Sequence, residues 1–319
     1  MDLKRRQFLK TSLAGLGSMT AAGVEVAASR SVANAEEAAK PPKNPFSTDP
    51  VANIKLFDGV MTSRIGFGTG MAGHNRSSQL TRMDRAKAEE MILYAYDRGV
   101  RFFDCADLYG THEIISSTLK DKPRDSYTLS SKLWPHPGGI PEEERPTADV
   151  VVKRFLQELK TDYLDLVQIH CMMKPNWKDD YERYAEDLAK LKDQGLIRGH
   201  GISCHSLGAI QTGAVDPWVD AIHIRINDAG TRMEGSFEEN VAAGKLAQDN
   251  GKGVIGMKIV GEGTFKTREA RERSVDKVVR AGIVDVFIIG FEEKSQIDEI
   301  IENVEKSLKG IEAEQQAKV

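Results

Sequence analysis

Cysteine is scarce in this chain. Its 319 residues carry three, Cys105, Cys171 and Cys204, too few for a disulfide framework and without the C-x-x-C spacing that brings two thiolates to one metal. They read as small packing residues. Excess basic charge is absent too: 44 Lys and Arg against 48 Asp and Glu leave a formal charge of −4. That excludes the basic face expected of a nucleic-acid-binding protein. The chain also lacks a long apolar run near its start, where the stretch after residue 10 is interrupted by Glu25 and is too short to cross a bilayer. No stable membrane insertion of the mature protein is expected. Seven histidines are present, but no H-x-H or H-x-x-x-H pair sets two ligands on one element, so no metal site is expected.

Residues 1–35 stand apart from the rest. Lys4-Arg5-Arg6-Gln7-Phe8-Leu9-Lys10 precedes a stretch rich in Ala, Gly and Ser, and Ala33-Asn34-Ala35 has the small-x-small pattern of a cleavage site. This reads as a twin-arginine export signal. The protein is therefore expected to meet the twin-arginine export machinery, leave the cytoplasm already folded and act in the periplasm or another extracytoplasmic space. Residues 36–52, with Pro41, Pro42, Pro45 and Pro50, read as an extended linker.

Over residues 53–310 short β-branched runs alternate with amphipathic stretches, the pattern of parallel strands with helical crossovers. Eight strands are expected, near Arg64–Gly68, Val100–Asp104, Tyr127–Lys132, Leu164–His170, Gly199–Ser203, Ala221–Ile226, Gly253–Met257 and Val286–Gly290. Ahead of them, Ile54–Leu56, Asp58-Gly59 and Met61–Ser63 read as a β-hairpin. The fold class expected is α/β, a (β/α)8 TIM barrel floored by an N-terminal β-hairpin and followed by a tail over 311–319. A doubly wound open sheet would need a glycine fingerprint after an early strand. Gly66-Phe67-Gly68-Thr69-Gly70 lacks its third glycine at the right offset.

In such a barrel the chemistry gathers where strands end at the carboxyl face. Asp104 closes the second expected strand, Tyr109 lies in the loop after it, Lys132 closes the third and His170 the fourth. Four polar side chains are thus sent to one rim. Asp107 reads as an ordinary loop residue, and Trp134 and Trp177, on loops of the same face, are expected either to wall a substrate pocket or to pack. His112, His136, His200 and His205 are expected to touch substrate or solvent.

Taken together, "RIGFGTG", "GVRFFDCADLYG", "LSSKLW", "TDYLDLVQIH", "LKDQGLIRGHGIS" and "VDVFIIG" resemble the aldo-keto reductase superfamily in order and spacing, over about Ile54 to Leu308. The resemblance implies a catalytic tetrad at Asp104, Tyr109, Lys132 and His170. Reducing a carbonyl needs a hydride on carbon and a proton on oxygen, and a free phenol with pKa near 10 gives up its proton reluctantly. Lys132, kept charged by Asp104, is expected to draw the Tyr109 pKa down, and His170 to orient and polarise the carbonyl. The hydride implies a nicotinamide cofactor, which the resemblance lays extended across the barrel mouth.

The cofactor-facing positions depart from the family pattern. Ser203-Cys204 stands where Ser-Asn usually holds the carboxamide, His223 where Gln is usual, and Met257-Lys258 where an aromatic usually stacks. Lys294 and Ser295 are the candidates for gripping a 2′-phosphate, yet Glu292 and Glu293 at the same corner oppose one or else complement a helix dipole. NADP(H) is expected ahead of NAD(H), tightly bound if the protein is exported. The function implied is an NAD(P)-dependent interconversion of a carbonyl (aldehyde, ketone or sugar) and an alcohol. A cofactor-retaining binding or sensing barrel with little catalysis, and a metal-dependent sugar isomerase on the same fold, are the alternatives.

Overall fold

The computed structural model describes residues 43–318, so the export signal expected over 1–35 and the linker up to residue 42 lie outside the described residues. The described chain opens with β1 (Asn53–Phe57) and β2 (Val60–Ser63), paired antiparallel around Asp58-Gly59. Gly59 has φ +82°, a turn conformation that glycine adopts without a Cβ penalty. Eight parallel strands follow: β3 (Ile65–Gly68), β4 (Phe102–Asp104), β5 (Thr128–Leu133), β6 (Leu166–Met172), β7 (His200–Cys204), β8 (Ala221–Arg225), β9 (Gly253–Met257) and β10 (Val286–Ile289). They pair in chain order and close with β10 against β3. This is the (β/α)8 barrel with an N-terminal hairpin. The last helix, Lys294–Gln316, occupies much of the stretch expected as a tail.

Buried on both faces, the strands sort their side chains by the two-residue period of the pleat. One set, including Phe102, Leu166, Ala221, Ile255, Val286 and Ile288, points into the barrel and packs on Ile54, Leu56, Phe57 and Val60 of the hairpin. The alternate set, including Phe103, Val167, Ile202, Val254 and Phe287, joins the helices in the outer core. The hairpin therefore fills the floor of the barrel with apolar side chains and leaves the opposite end for polar ones.

The floor is also pinned by a repeated device. Asp165, Asp220 and Asp285 each precede a strand and accept the N–H of Leu129, His200 and Val254 on the strand beside it, at 2.9, 2.9 and 2.8 Å. Their carboxylates meet Arg124, Lys192 and Lys43 at 2.7, 2.6 and 2.6 Å. Lys43 also donates to the carbonyls of Leu56 and Lys252, so the segment expected as a linker is anchored beneath the barrel from this residue on.

Counting in steps of two from the inward apolar residues carries the same parity to the opposite end. Phe102 leads to Asp104, Leu166 through Gln168 to His170, Ala221 to His223 and Ile255 to Met257; on β5, Leu129 and Leu133 face the outer core, which turns Ser130 and Lys132 inward. The strand register aligns Asp104 with Ser130, Lys132 with Gln168 and Ser203 with His223. Period two alone therefore stacks these groups above the apolar floor.

Candidate active site

Lys132 and Asp104 form the centre of the upper layer. Both are buried, and Nζ of Lys132 donates to Oδ1 of Asp104 at 2.5 Å and to the Cys105 carbonyl at 3.0 Å. Nε2 of His223, also fully buried, lies 3.3 Å from the same carboxylate oxygen, but off hydrogen-bond alignment. Burial works against a charged Asp104; the Lys132 ammonium and His223 outweigh it and hold the carboxyl well below the usual range. Burial, with the Lys132 charge, lowers His223 against the opposing pull of Asp104. The sequence set His223 at a cofactor-facing position, where Gln is usual in the family. The structure sets it against Asp104, as a second support for the ion pair.

Tyr109 ends a short 3-10 turn, Asp107–Tyr109, and its hydroxyl lies 3.4 Å from Nε2 of His170. The turn is held by Asp107, which the sequence reading dismissed as a loop residue. Its buried carboxylate takes a two-point grip from Arg154 at 3.0 and 2.7 Å, with Arg76 at 3.4 Å. Gly110 follows at φ +67°, and a Cβ there would meet the Arg76 carbonyl oxygen at 2.1 Å, so the exit from the turn requires glycine. Gly70 clears space for the phenol ring, since a Cβ at Gly70 would fall 2.2 Å from ring atoms of Tyr109. Gly70→Ala is accordingly expected to shift the ring and lower turnover by roughly ten-fold or more with little change in unfolding midpoint, measured by steady-state kinetics beside thermal melts.

The expected downward pull of Lys132 does not bring Tyr109 below its usual pKa in the resting site. Burial, and then the charge of Asp104, push the phenol well above its usual pKa. The reason is geometric: the Lys132 ammonium is engaged by Asp104 and sits over the Tyr109 ring, 5.4 Å from its centroid. His170 moves the other way, its imidazole held well below the usual range by burial and by Lys132. Its Nδ1 is buried with no hydrogen-bond partner among the described residues. A buried orphan N–H costs more than an orphan lone pair, which assigns the proton to Nε2, facing Tyr109.

Trp134 stands edge-on to His170, with centroids 5.4 Å apart, and donates from its indole to the Gly138 carbonyl at 2.7 Å. His136 donates from Nε2 to the carbonyls of His170 and Cys171 at 3.1 and 2.8 Å and accepts the Tyr181 hydroxyl on Nδ1 at 3.2 Å. It fixes the strand end that carries His170. Trp177 is different: it is fully buried against Trp218 and donates to Thr212 at 3.2 Å, so it packs and walls no pocket. Cys105 is buried and its thiol is pushed up to about 12 by burial and Asp104, consistent with inert packing.

A cleft of about 350 Å³ opens from Asp104 and Tyr109 and runs between the ends of β9 and β10. Gly68, Gly70 and Gly290 line it beside the chemistry, Met257 and Lys258 further along, and Glu292, Gln296 and Glu299 at the far end. Lys258, at φ +62°, pairs with Glu262. Besides His223, four of the expected cofactor contacts are absent from this lining. Cys204 falls on the outward parity and joins the outer core; Ser203 is turned inward but its hydroxyl accepts the Cys171 N–H at 2.9 Å; Lys294 reaches away to Glu90 at 2.5 Å, and Ser295 beside it is exposed. Arg271, which lines the far end with Phe265 and Lys266, was missed because it sits on the helix Arg268–Ala281, with no strand-end signal to mark it.

Comparison with known proteins agrees with this architecture. A family model described as the aldo/keto reductase family matches residues 64–317. Aldo-keto reductase YhdN of Bacillus subtilis is 30% identical over 234 residues, 67% of this chain and 66% of that protein. Methylglyoxal reductase DkgA of Yersinia pestis is 34% identical over 152 residues, 47% of each chain. The chain thus spans between about half and two thirds of the length of these curated relatives. An aldo-keto reductase from Klebsiella pneumoniae, solved in complex with NADPH, shares the fold with a TM-score of 0.59 at 17% identity, covering 79% of this chain and 89% of that one. The family match runs from the first barrel strand through the last helix, and on that ground this chain belongs to the aldo/keto reductase family.

Proposed function

We propose that this protein interconverts a small carbonyl compound and its alcohol with a nicotinamide dinucleotide, Tyr109 serving as the general acid or base. The observation that carries the reading is the buried Asp104–Lys132 pair beneath Tyr109, with His170 Nε2 3.4 Å from the hydroxyl. A carbonyl oxygen seated against both groups accepts from the phenol and from the imidazole. As Tyr109 releases its proton to that oxygen, the ammonium below stabilises the phenolate that forms, and Asp104 keeps the lysine aimed. Trp134 closes the side of His170 and limits water.

The long cleft fits the dinucleotide. Gly68 and Gly290 let a flat ring approach the strand ends, Met257 covers one face, and Lys258 is the cation nearest the middle. When bound, the dinucleotide supplies the hydride. NADPH in the Klebsiella pneumoniae relative and the name methylglyoxal reductase on the Yersinia pestis relative support this class of cofactor and of substrate. The reading extends to location. The Arg5-Arg6 pair ahead of its Ala- and Gly-rich stretch supports export of the folded enzyme by the twin-arginine machinery, which requires the nucleotide to travel tightly bound.

Incubating the purified protein with reduced dinucleotide and a panel of aldehydes, ketones and aldoses tests the proposal. Loss of the reduced-nicotinamide absorbance should match alcohol formed, one for one; binding without turnover on every substrate would leave a cofactor-holding barrel. The pH dependence is a second test. Tyr109 titrates well above the usual phenol value and His170 well below the usual imidazole value, so the phenol keeps its proton and the imidazole stays neutral across the middle range. kcat/KM for reduction is expected to be level between about pH 6 and pH 9. A fall centred between those limits would show that a different acid acts.

A further inference from the structure

We infer that the far end of the cleft selects a dinucleotide whose adenosine 2′-hydroxyl is free, so that this chain takes NAD(H) in preference to NADP(H). The inference rests on the dinucleotide reading above. With the nicotinamide at Tyr109, the remainder must fill the rest of the cleft, which ends among Phe265, Lys266, Arg271, Glu292, Gln296 and Glu299. A 2′-phosphate there would bring about two negative charges and three acceptor oxygens. It would need cations or N–H groups that are still free to donate.

Most of those donors are already engaged within the chain. Arg271 gives Nε and Nη2 to the two oxygens of Glu299 at 2.6 and 2.8 Å, and Nη1 to the carbonyls of Phe265 and Lys266 at 3.1 and 3.0 Å. Its planar fork, the geometry that would otherwise clasp a phosphate, is closed. Lys294 pairs with Glu90, and Lys87 reaches Glu293 at 2.5 Å, both outside the cleft lining. A helix N-terminus such as that of Lys294–Gln316 can offer its first amides to an anion. Here three of the amides around its start are taken up internally: the N–H groups of Glu292 and Glu293 go to Oε1 of Gln296 at 2.7 and 3.3 Å, and the N–H of Gln296 goes to the Glu293 carbonyl at 3.1 Å.

The formal charges that face the cleft at this end balance, with Arg271 already paired to Glu299. Glu292 and Glu299 line it, against the ammonium of Lys266, which has no carboxylate partner among the described residues. Carboxylates accept a hydrogen bond from a ribose hydroxyl and repel a phosphate dianion. The closed Arg271 fork and the Glu292 carboxylate therefore reverse the expectation of NADP(H) drawn from the family resemblance.

Equilibrium binding of NADH and NADPH to the purified full chain, with 5′-AMP and 2′,5′-ADP as fragment probes, tests the inference by calorimetry without any turnover. NADH should bind about ten-fold or more tightly than NADPH, and 5′-AMP should likewise exceed 2′,5′-ADP. Glu299→Gln, which releases the Arg271 fork, and Glu292→Gln, at an exposed position that leaves the fold intact, should each narrow the ratio several-fold through tighter NADPH binding. Equal or tighter NADPH binding by the unmodified protein overturns the inference and spares the dinucleotide reading, as does a ratio indifferent to both substitutions. Binding of neither nucleotide overturns both.

Discussion

Tyr109→Phe is expected to lower kcat for carbonyl reduction by about 10²–10⁴-fold, the usual worth of a positioned general acid, while dinucleotide affinity and folding stability stay near those of the parent protein. The substitution deletes one oxygen and keeps the ring. The ring is what packs: it fills the space that Gly70 and Gly73 leave open and meets His170 edge-on at 5.6 Å and 84°. Among the described residues the hydroxyl makes a single long contact at 3.4 Å, so its removal forfeits little hydrogen bonding in the resting protein. Almost all of the loss should therefore appear in the chemical step, read as the rate of reduced-nicotinamide consumption in a single turnover. If Tyr109→Phe retained activity within a few-fold, the proton would have to come from elsewhere, and the protonated Nε2 of His170 would be the first place to look.

The sequence carried most of this site, for a reason that is purely geometric. Asp104, Lys132 and His170 lie on barrel strands, where period two decides which side chains enter the barrel, and strand ends can be found from apolar runs bounded by turn residues. The same rule, applied one residue further, shows why Cys204 fails as a cofactor contact: it follows inward-facing Ser203 and must face out. What was not legible depends on contacts across long stretches of chain. Asp107 earns its role only through Arg154, 47 residues later. His223 could be placed inside the barrel, but whether it met the cofactor or Asp104 turned on side-chain reach. The direction of the Tyr109 shift hung on which atom the Lys132 ammonium approaches, and Lys294 and Trp177 on the rotation of helices about their own axes. Periodicity marks the inward face of a strand well and says little about which polar residue of a helix end or loop turns toward a cleft.

Lys132→Met should cost about 3–5 kcal/mol of folding stability at neutral pH, because it leaves the Asp104 carboxylate buried without its principal counter-charge. Methionine replaces the lysine stem with little change in shape, so the loss isolates charge from packing. The effect has a pH signature. In the parent protein Asp104 is held below the usual carboxylate range by Lys132 and His223 against the opposing effect of burial. A lowered pKa in the folded state contributes stability that is present above the unfolded value, near 3.9, and is lost as pH falls through the folded value. In the variant burial dominates and the folded pKa rises, so the group takes up a proton on folding and the sign reverses. The deficit measured by urea unfolding should be largest at pH 7 and should shrink as pH approaches about 4. His223, 3.3 Å from the same oxygen, would limit the loss by protonating beside the stranded carboxylate, which makes Lys132→Met with His223→Gln less stable than the two single effects predict. Removing both charges, as Lys132→Met with Asp104→Asn, should recover much of the stability and none of the catalysis, since the phenolate of Tyr109 would still have no cation beneath it. A stability deficit that is the same at pH 5 and pH 7 would mean that the pair contributes through packing, and that the buried charge is not what holds this part of the barrel mouth together.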